Sequence, residues 1–185
     1  NEMEWGGAGL KVGDVSGRRA EWGLFRAEND CMKIALSADH RGSTSIRQLA
    51  DRLGGQGHTV EILGDCSGAP CDYPEPAYKV ASAVARGDFE AGVLICGTGV
   101  GMSIAANKVK GARAAVVHDE LTAQLSRSHN NANILCLSAD LLGQRLIEKI
   151  TEVFIGTPFE GGRHMRRIHK ITAIEQGIDP ATVKE

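Results

Sequence analysis

Cys96 precedes three alternating glycines in the run Cys96-Gly97-Thr98-Gly99-Val100-Gly101. A thiol at the point where a glycine turn enters a helix meets backbone N–H groups that have no partner in the first helical turn. Such amides favour the thiolate over the thiol. The same donors can hold an oxyanion that develops on a substrate, and Thr98 adds a hydroxyl beside them. The run is a poor dinucleotide fingerprint, because G-x-G-x-x-G requires a glycine where Met102 stands, and no lysine-serine pair of a phosphate loop follows. Taken singly, a cysteine in such a place is more often core than catalytic, and a tight strand-to-helix turn is the bland reading of the glycines.

Three other groups have chemistry to offer. Asp39-His40 follows the first predicted strand. His129-Asn130 opens a His-Asn-Asn-Ala-Asn run at the end of a predicted helix, where the plain alternative is a polar helix end with Asn in its usual terminal role. Arg163 and Arg167 are four residues apart, which on a helix puts two guanidiniums on one face, an arrangement suited to a phosphate. For a lone cluster a solvated basic face is the simpler account.

The elements that must position these groups follow from periodicity. Ala91–Cys96 is a short apolar run bounded by Gly, the pattern of a buried parallel strand. Four more strands are expected at 33–37, 58–63, 112–117 and 133–137. Helices are expected at about 42–53, 75–86, 102–108, 120–128, 141–155 and 163–176. This alternation gives an α/β fold, a doubly wound three-layer sandwich with a five-stranded parallel sheet and an extra C-terminal helix. Ligands of such sheets bind at the carboxyl ends of strands. The groups above are expected to collect on that one edge.

Composition narrows the function classes. A net charge of −2, 42% hydrophobic and 24% charged residues give no electrostatic reason to expect nucleic acid or a membrane as partner. Five cysteines with no C-x-x-C spacing suggest reduced thiols, a cytoplasmic setting and no zinc site. Residues 1–31 lack sustained periodicity and are expected to be a disordered leader or an artefact ahead of a domain at 32–185. The extra helix, with Ile168, Ile171 and Ile174 on a narrow stripe, suits either its own domain or a second copy of the chain.

Together the motifs closely resemble the ribose-5-phosphate isomerase B family, whose members include galactose-6-phosphate and allose-6-phosphate isomerases. The resemblance rests on Asp39-His40, Asp72-Tyr73-Pro74, the Cys96–Gly101 run with Ser103–Lys108, Ser126-Arg127 with His129-Asn130, and Glu160–His164, in order from about Met32 to Gln176. It implies an aldose–ketose isomerase that uses no metal or organic cofactor, acts on a small phosphorylated sugar such as ribose 5-phosphate, and works as a homodimer with a shared active site. On this resemblance Cys96 is the base that moves a proton between C1 and C2 through an enediolate. Thr98 and the amides of Gly97, Gly99, Val100, Gly101 and Met102 hold the enediolate oxygen. His129 assists ring opening, Asn130 and Asp39 bind sugar hydroxyls, Tyr73 lines the pocket, and His40, Arg163 and Arg167 bind the phosphate. The rivals are a non-enzymatic nucleotide-binding module, which leaves Cys96 and His129 without roles, and a thiol-dependent hydrolase.

One position departs from the resemblance. Many members carry an arginine shortly after the fifth strand, where this chain has Asp140. A carboxylate repels a phosphate dianion at close range, so Asp140 is expected to cap a helix starting at Leu141. Anchoring then falls to His40, Arg163 and Arg167. Arg163→Ala or Arg167→Ala should raise KM for a phosphosugar roughly 10- to 150-fold, since a hydrogen bond to a charged group is worth about 1.5–3 kcal/mol. A KM within twofold of wild type in both variants would remove them from the phosphate site.

Overall fold

The computed structural model describes residues 31–183. The leader expected over residues 1–31 therefore lies, apart from Cys31, outside the described residues. The chain runs β1 (Lys33–Ala38), α1 (Ser43–Gly55), β2 (Thr59–Ile62), α2 (Pro74–Ala85), β3 (Ala91–Cys96), α3 (Val100–Ala106), β4 (Ala114–Val116), α4 (Glu120–Ser128), β5 (Ile134–Ser138), α5 (Gln144–Gly156) and α6 (Arg163–Glu175). A short 3-10 turn at Pro180–Thr182 follows. No helix among the described residues is long and apolar enough to cross a membrane.

All five strands are parallel, in the order β2-β1-β3-β5-β4. β3 and β5 are buried along their whole length, so both faces of these central strands must be apolar. Their alternate side chains feed two cores. Val93, Ile95, Leu135 and Leu137 pack with Leu49 and Leu53 of α1 and Ile150 and Phe154 of α5. Leu94, Ile134 and Cys136 pack with Val80 and Val84 of α2 and Met102 of α3. The expected three layers are formed.

The chain winds from β1 outward to β2 and then crosses to the other side of β1 to place β3. That reversal opens a crevice between the carboxyl ends of β1 and β3, the usual ligand position in an open α/β sheet. Each helix returns the chain to the start of the next strand. Strand-to-helix turns therefore share the carboxyl edge, and helix-to-strand turns share the amino edge.

Two elements, β4 and α5, depart furthest from the sequence reading. β4 spans three residues where six were expected, because Ala112 and Arg113 are occupied in a turn: Ala112 N–H donates to Val109 O and Arg113 N–H to Asn133 Oδ1. α5 starts at Gln144, not Leu141. Asp140 caps nothing: Ser138 Oγ accepts the Leu141 N–H at 3.0 Å, and the Asp140 carboxylate turns to Arg41.

β4 is an edge strand, and Asn107 takes the place of a neighbour. Its Nδ2 donates to Ala114 O and its Oδ1 accepts Ala114 N–H, both at 2.9 Å. Asn107→Ala should cost about 1–3 kcal/mol, because both backbone groups of Ala114 lose a partner. Urea unfolding checks this, and a loss below about 0.5 kcal/mol would show that water replaces the amide without penalty.

Candidate active site

The β1–β3 crevice holds the first group of residues. Asp39 N–H donates to Ile95 O at 3.2 Å, which ties the loop after β1 to β3. The buried Asp39 carboxylate accepts the amides of Arg41 and Gly42 on Oδ1, at 2.9 and 3.2 Å. Its other oxygen has no bond among the described residues and is free for a ligand hydroxyl. His40 is exposed at the mouth.

Cys96 ends β3 and is 4% exposed. The Gly99 N–H donates to its Sγ at 3.1 Å, which fixes the sulfur against the turn. This turn needs glycine at position 99, where φ is +78° and a Cβ would lie 3.1 Å from the Leu137 carbonyl carbon. The first helical bond of α3 runs from Ser103 N–H to Gly99 O, so the Gly101 and Met102 amides precede it without intrahelical partners. Thr98 is exposed beside them, its Oγ1 accepting the Val100 N–H at 3.4 Å. The Tyr73 ring lies over Gly101, where a Cβ would come within 2.7 Å of it. These contacts bring Cys96, Thr98, the glycine amides and Tyr73 together, with Asp39 and His40 across the crevice.

Ser138 is a functional residue that motif reading missed. Its hydroxyl donates to Gly97 O at 2.6 Å, while Ala139 N–H donates to Cys96 O and Asp140 N–H to Gly97 O. The turn after β5 thus clamps the cysteine loop. Cys136 lies on the neighbouring strand, but complete burial pushes its thiol far above its ordinary range, so it stays protonated as a core residue.

His129, Asn130, Arg163 and Arg167 are somewhere else. Cys96 pairs with Ser138 at the end of β5, whereas Gly92 pairs with Ile134 at its start. His129 lies five residues before Ile134, at the end of α4. Four residues of strand at roughly 3.3 Å each separate the two levels by about 13 Å. Glu160 N–H donates to Ser128 O, which keeps the lead into α6 at the same amino edge. The expectation that all the groups collect on one edge is therefore wrong for these four. A helix returning from a parallel strand ends where the next strand begins, and that places its C-terminus opposite the strand carboxyl ends.

This second cluster has its own order. The His129 and His164 rings stack with centroids 4.3 Å apart and planes 7° from parallel. Glu160 Oε2 lies 3.8 Å from His129 Nε2 and 3.6 Å from His164 Nε2. Within the asparagine run, Asn131 takes the left-handed conformation at the helix end (φ 45°) and Asn133 pairs with the turn at Gly111 and Arg113. Asn130 is left exposed, as are Arg163 and Arg167 on α6. The ligand atoms of His129, Glu160 and His164 are within 4.8 Å of one another. They fit a metal ion poorly: the in-plane lone pairs of two parallel stacked rings do not converge on one point, and two arginines adjoin them.

His164 is buried, and that burial, together with His129, Arg163 and Arg167, holds its pKa below the ordinary imidazole value. Between the lowered value and about 6.5 the unfolded chain binds a proton that the folded chain does not, so stability falls as pH drops below about 6.5. The thermal midpoint should decline from pH 7 to 5.5, and decline less in His164→Phe, which keeps a ring against His129. Parallel pH profiles for the two proteins would place the sensitivity elsewhere.

The profile of the Ribose/Galactose Isomerase family matches residues 34–171. Ribose-5-phosphate isomerase B of Escherichia coli is 45% identical over 144 residues, covering 78% of this chain and 97% of its own length. A putative sugar phosphate isomerase of Bacillus subtilis is 43% identical over 148 residues, with 78% and 98% covered. Among solved structures, ribose-5-phosphate isomerase B of Clostridium thermocellum superposes with a TM-score of 0.78 at 44% identity, covering 79% of this chain and 99% of that one. The Mycoplasma genitalium enzyme with bound ribulose-5-phosphate gives 0.73 at 44% identity, with 78% and 96% covered. With its fold and most of its length in common with these proteins, the chain belongs to the ribose/galactose isomerase family and is an isomerase of the aldose–ketose kind.

Proposed function

We propose that a single domain over residues 32–185 interconverts ribose 5-phosphate and ribulose 5-phosphate, in a site completed by a second copy of the chain. One protomer supplies Asp39, His40, Tyr73, Cys96, Thr98 and the loop amides of Gly97, Gly99, Val100 and Gly101. His129, Asn130, Arg163 and Arg167 come from its partner. The observation that carries this reading is the Cys96 sulfur, held by the Gly99 amide in the β1–β3 crevice beside unspent donors.

In this scheme the open-chain aldose lies with C1 and C2 at the sulfur. The Cys96 thiolate removes the C2 proton, the electron pair forms the C1–C2 double bond, and the C1 carbonyl oxygen becomes the enediolate oxygen held by Thr98 and the amides. The thiol returns the proton to C1 while the O2 hydroxyl proton passes to O1, leaving a ketone at C2. No electron leaves the sugar, so no redox partner takes part. His129 of the partner subunit opens the furanose by proton transfer between the C1 hydroxyl and the ring oxygen. His40 and the partner's Arg163 and Arg167 hold the phosphate, whose binding energy fixes the reacting carbons.

A second copy is supported by more than the divided residues. Val100 and Ile104 are exposed four residues apart on α3, directly after the cysteine loop. Ile171 and Ile174 of α6, with Asn130 and the start of β4, line an open groove of about 610 Å³. Apolar faces so close to both halves of the site suit an isologous contact. Free thiols at all five cysteines are in keeping with a cytoplasmic setting.

Two inactive variants test the division. Cys96→Ala and His129→Ala should each abolish deuterium exchange at C2 of ribose 5-phosphate while remaining folded. Mixed after dissociation, they should recover about a quarter of wild-type turnover, because half of randomly formed dimers are mixed and each mixed dimer has one intact site. No recovery in a mixture shown to contain mixed dimers would mean that each chain builds its own site.

A further inference from the structure

Arg41 follows His40 in the β1–α1 turn and reaches across the mouth of the crevice to the turn after β5. Its Nε and one terminal nitrogen both donate to Asp140 Oδ1, at 2.9 and 2.7 Å. The pair lies over the cysteine loop: a Cβ at Gly97 would come within 3.0 Å of Asp140 Oδ2 and 3.3 Å of Arg41 Cδ. Asp140 is itself fixed there, its N–H bonded to Gly97 O at 3.1 Å. The Arg41 side chain is 55% exposed, and its other terminal nitrogen has no bond among the described residues. So exposed an ion pair adds little to stability. What it accomplishes is placement, since a planar guanidinium fixed by two bonds on one side offers parallel N–H donors on the other.

We infer that Arg41 is the cation that receives the substrate phosphate in the carboxyl-edge half of the site, and that Asp140 is a positioning residue that holds its guanidinium across Gly97. This rests on the isomerase reading above. A bare carboxylate at position 140 would repel the phosphate dianion. Paired with Arg41 it is neutralised, and the guanidinium, one residue on from His40, keeps a terminal nitrogen with donors to spare. Arg163 and Arg167 of the same chain lie at the opposite end of the sheet, so Arg41 is the guanidinium that this half of the site contributes beside those of the second copy.

The test combines kinetics on ribose 5-phosphate with calorimetric binding of inorganic phosphate to the full chain. Arg41→Ala should raise KM about tenfold or more with kcat within about threefold of wild type, and weaken phosphate binding by a similar factor. Its thermal midpoint should stay close to wild type, as expected for an exposed pair. Asp140→Asn should raise KM severalfold in the wild-type background and leave it unchanged or lower it in the Arg41→Ala background, where the carboxylate is bare and its helpful effect, which acts through the guanidinium, is gone. Unchanged KM and phosphate affinity in Arg41→Ala overturn the inference, as does an Asp140→Asn effect of equal size with and without Arg41. A wild-type chain inactive on every pentose, hexose and tetrose phosphate would overturn the isomerase reading instead, while phosphate binding still decides the role of Arg41.

Discussion

Every strand in this sheet points the same way, and the arrangement of the site follows from that. Parallel pairing sets Cys96 beside Ser138 and, through the next turn, lets Ser138, Ala139 and Asp140 bond the carbonyls of Cys96 and Gly97. The cysteine loop is thus anchored to β5 as well as to its own strand. The same directionality sends the end of α4 and the start of α6 to the other edge. One chain therefore holds the cysteine loop at one edge of its sheet and the His129 cluster at the other, with the length of a strand between them.

The two halves differ electrostatically in a way that suits their separation. Around Cys96 the donors are neutral amides, and the nearest carboxylates are occupied by turn amides or by Arg41. Around His129 the neighbours are a buried, stacked imidazole, a glutamate and the arginines of α6. Burial and adjacent positive charge keep His164 from protonating readily, so it serves as a neutral platform for the His129 ring. Fixed donors and fixed rings of this kind need little reorganisation when charge develops on a ligand.

Much of this was legible in the sequence, for definite reasons. β3 and β5 are continuous apolar runs, and α4 begins at Glu120 as expected because Asp119 accepts the Thr122 N–H at the helix start. The Cys96–Gly101 run announced a strand, a turn and free amides. The failures came from non-local geometry. Motif order along the chain carries no record of which edge a residue occupies, so His129 and Arg163 seemed to be neighbours of Cys96. Leu141 looked like a helix residue, yet it is 67% exposed in a turn that Ser138 stabilises. Asp140 read as a helix cap because its partner, Arg41, is 99 residues away.

The side chain of Asn107 settles how this sheet ends. By taking both backbone groups of Ala114, with Ser103 Oγ as a second donor to the same carbonyl, it occupies outward-facing positions that another chain's strand would require. β4 is three residues long, so little remains there for a ribbon to grow upon. Association at this side of the molecule is directed to helices and loops, whose irregular surfaces match in one orientation only. Protection of this edge from open-ended strand addition is thus supplied in large part by one amide.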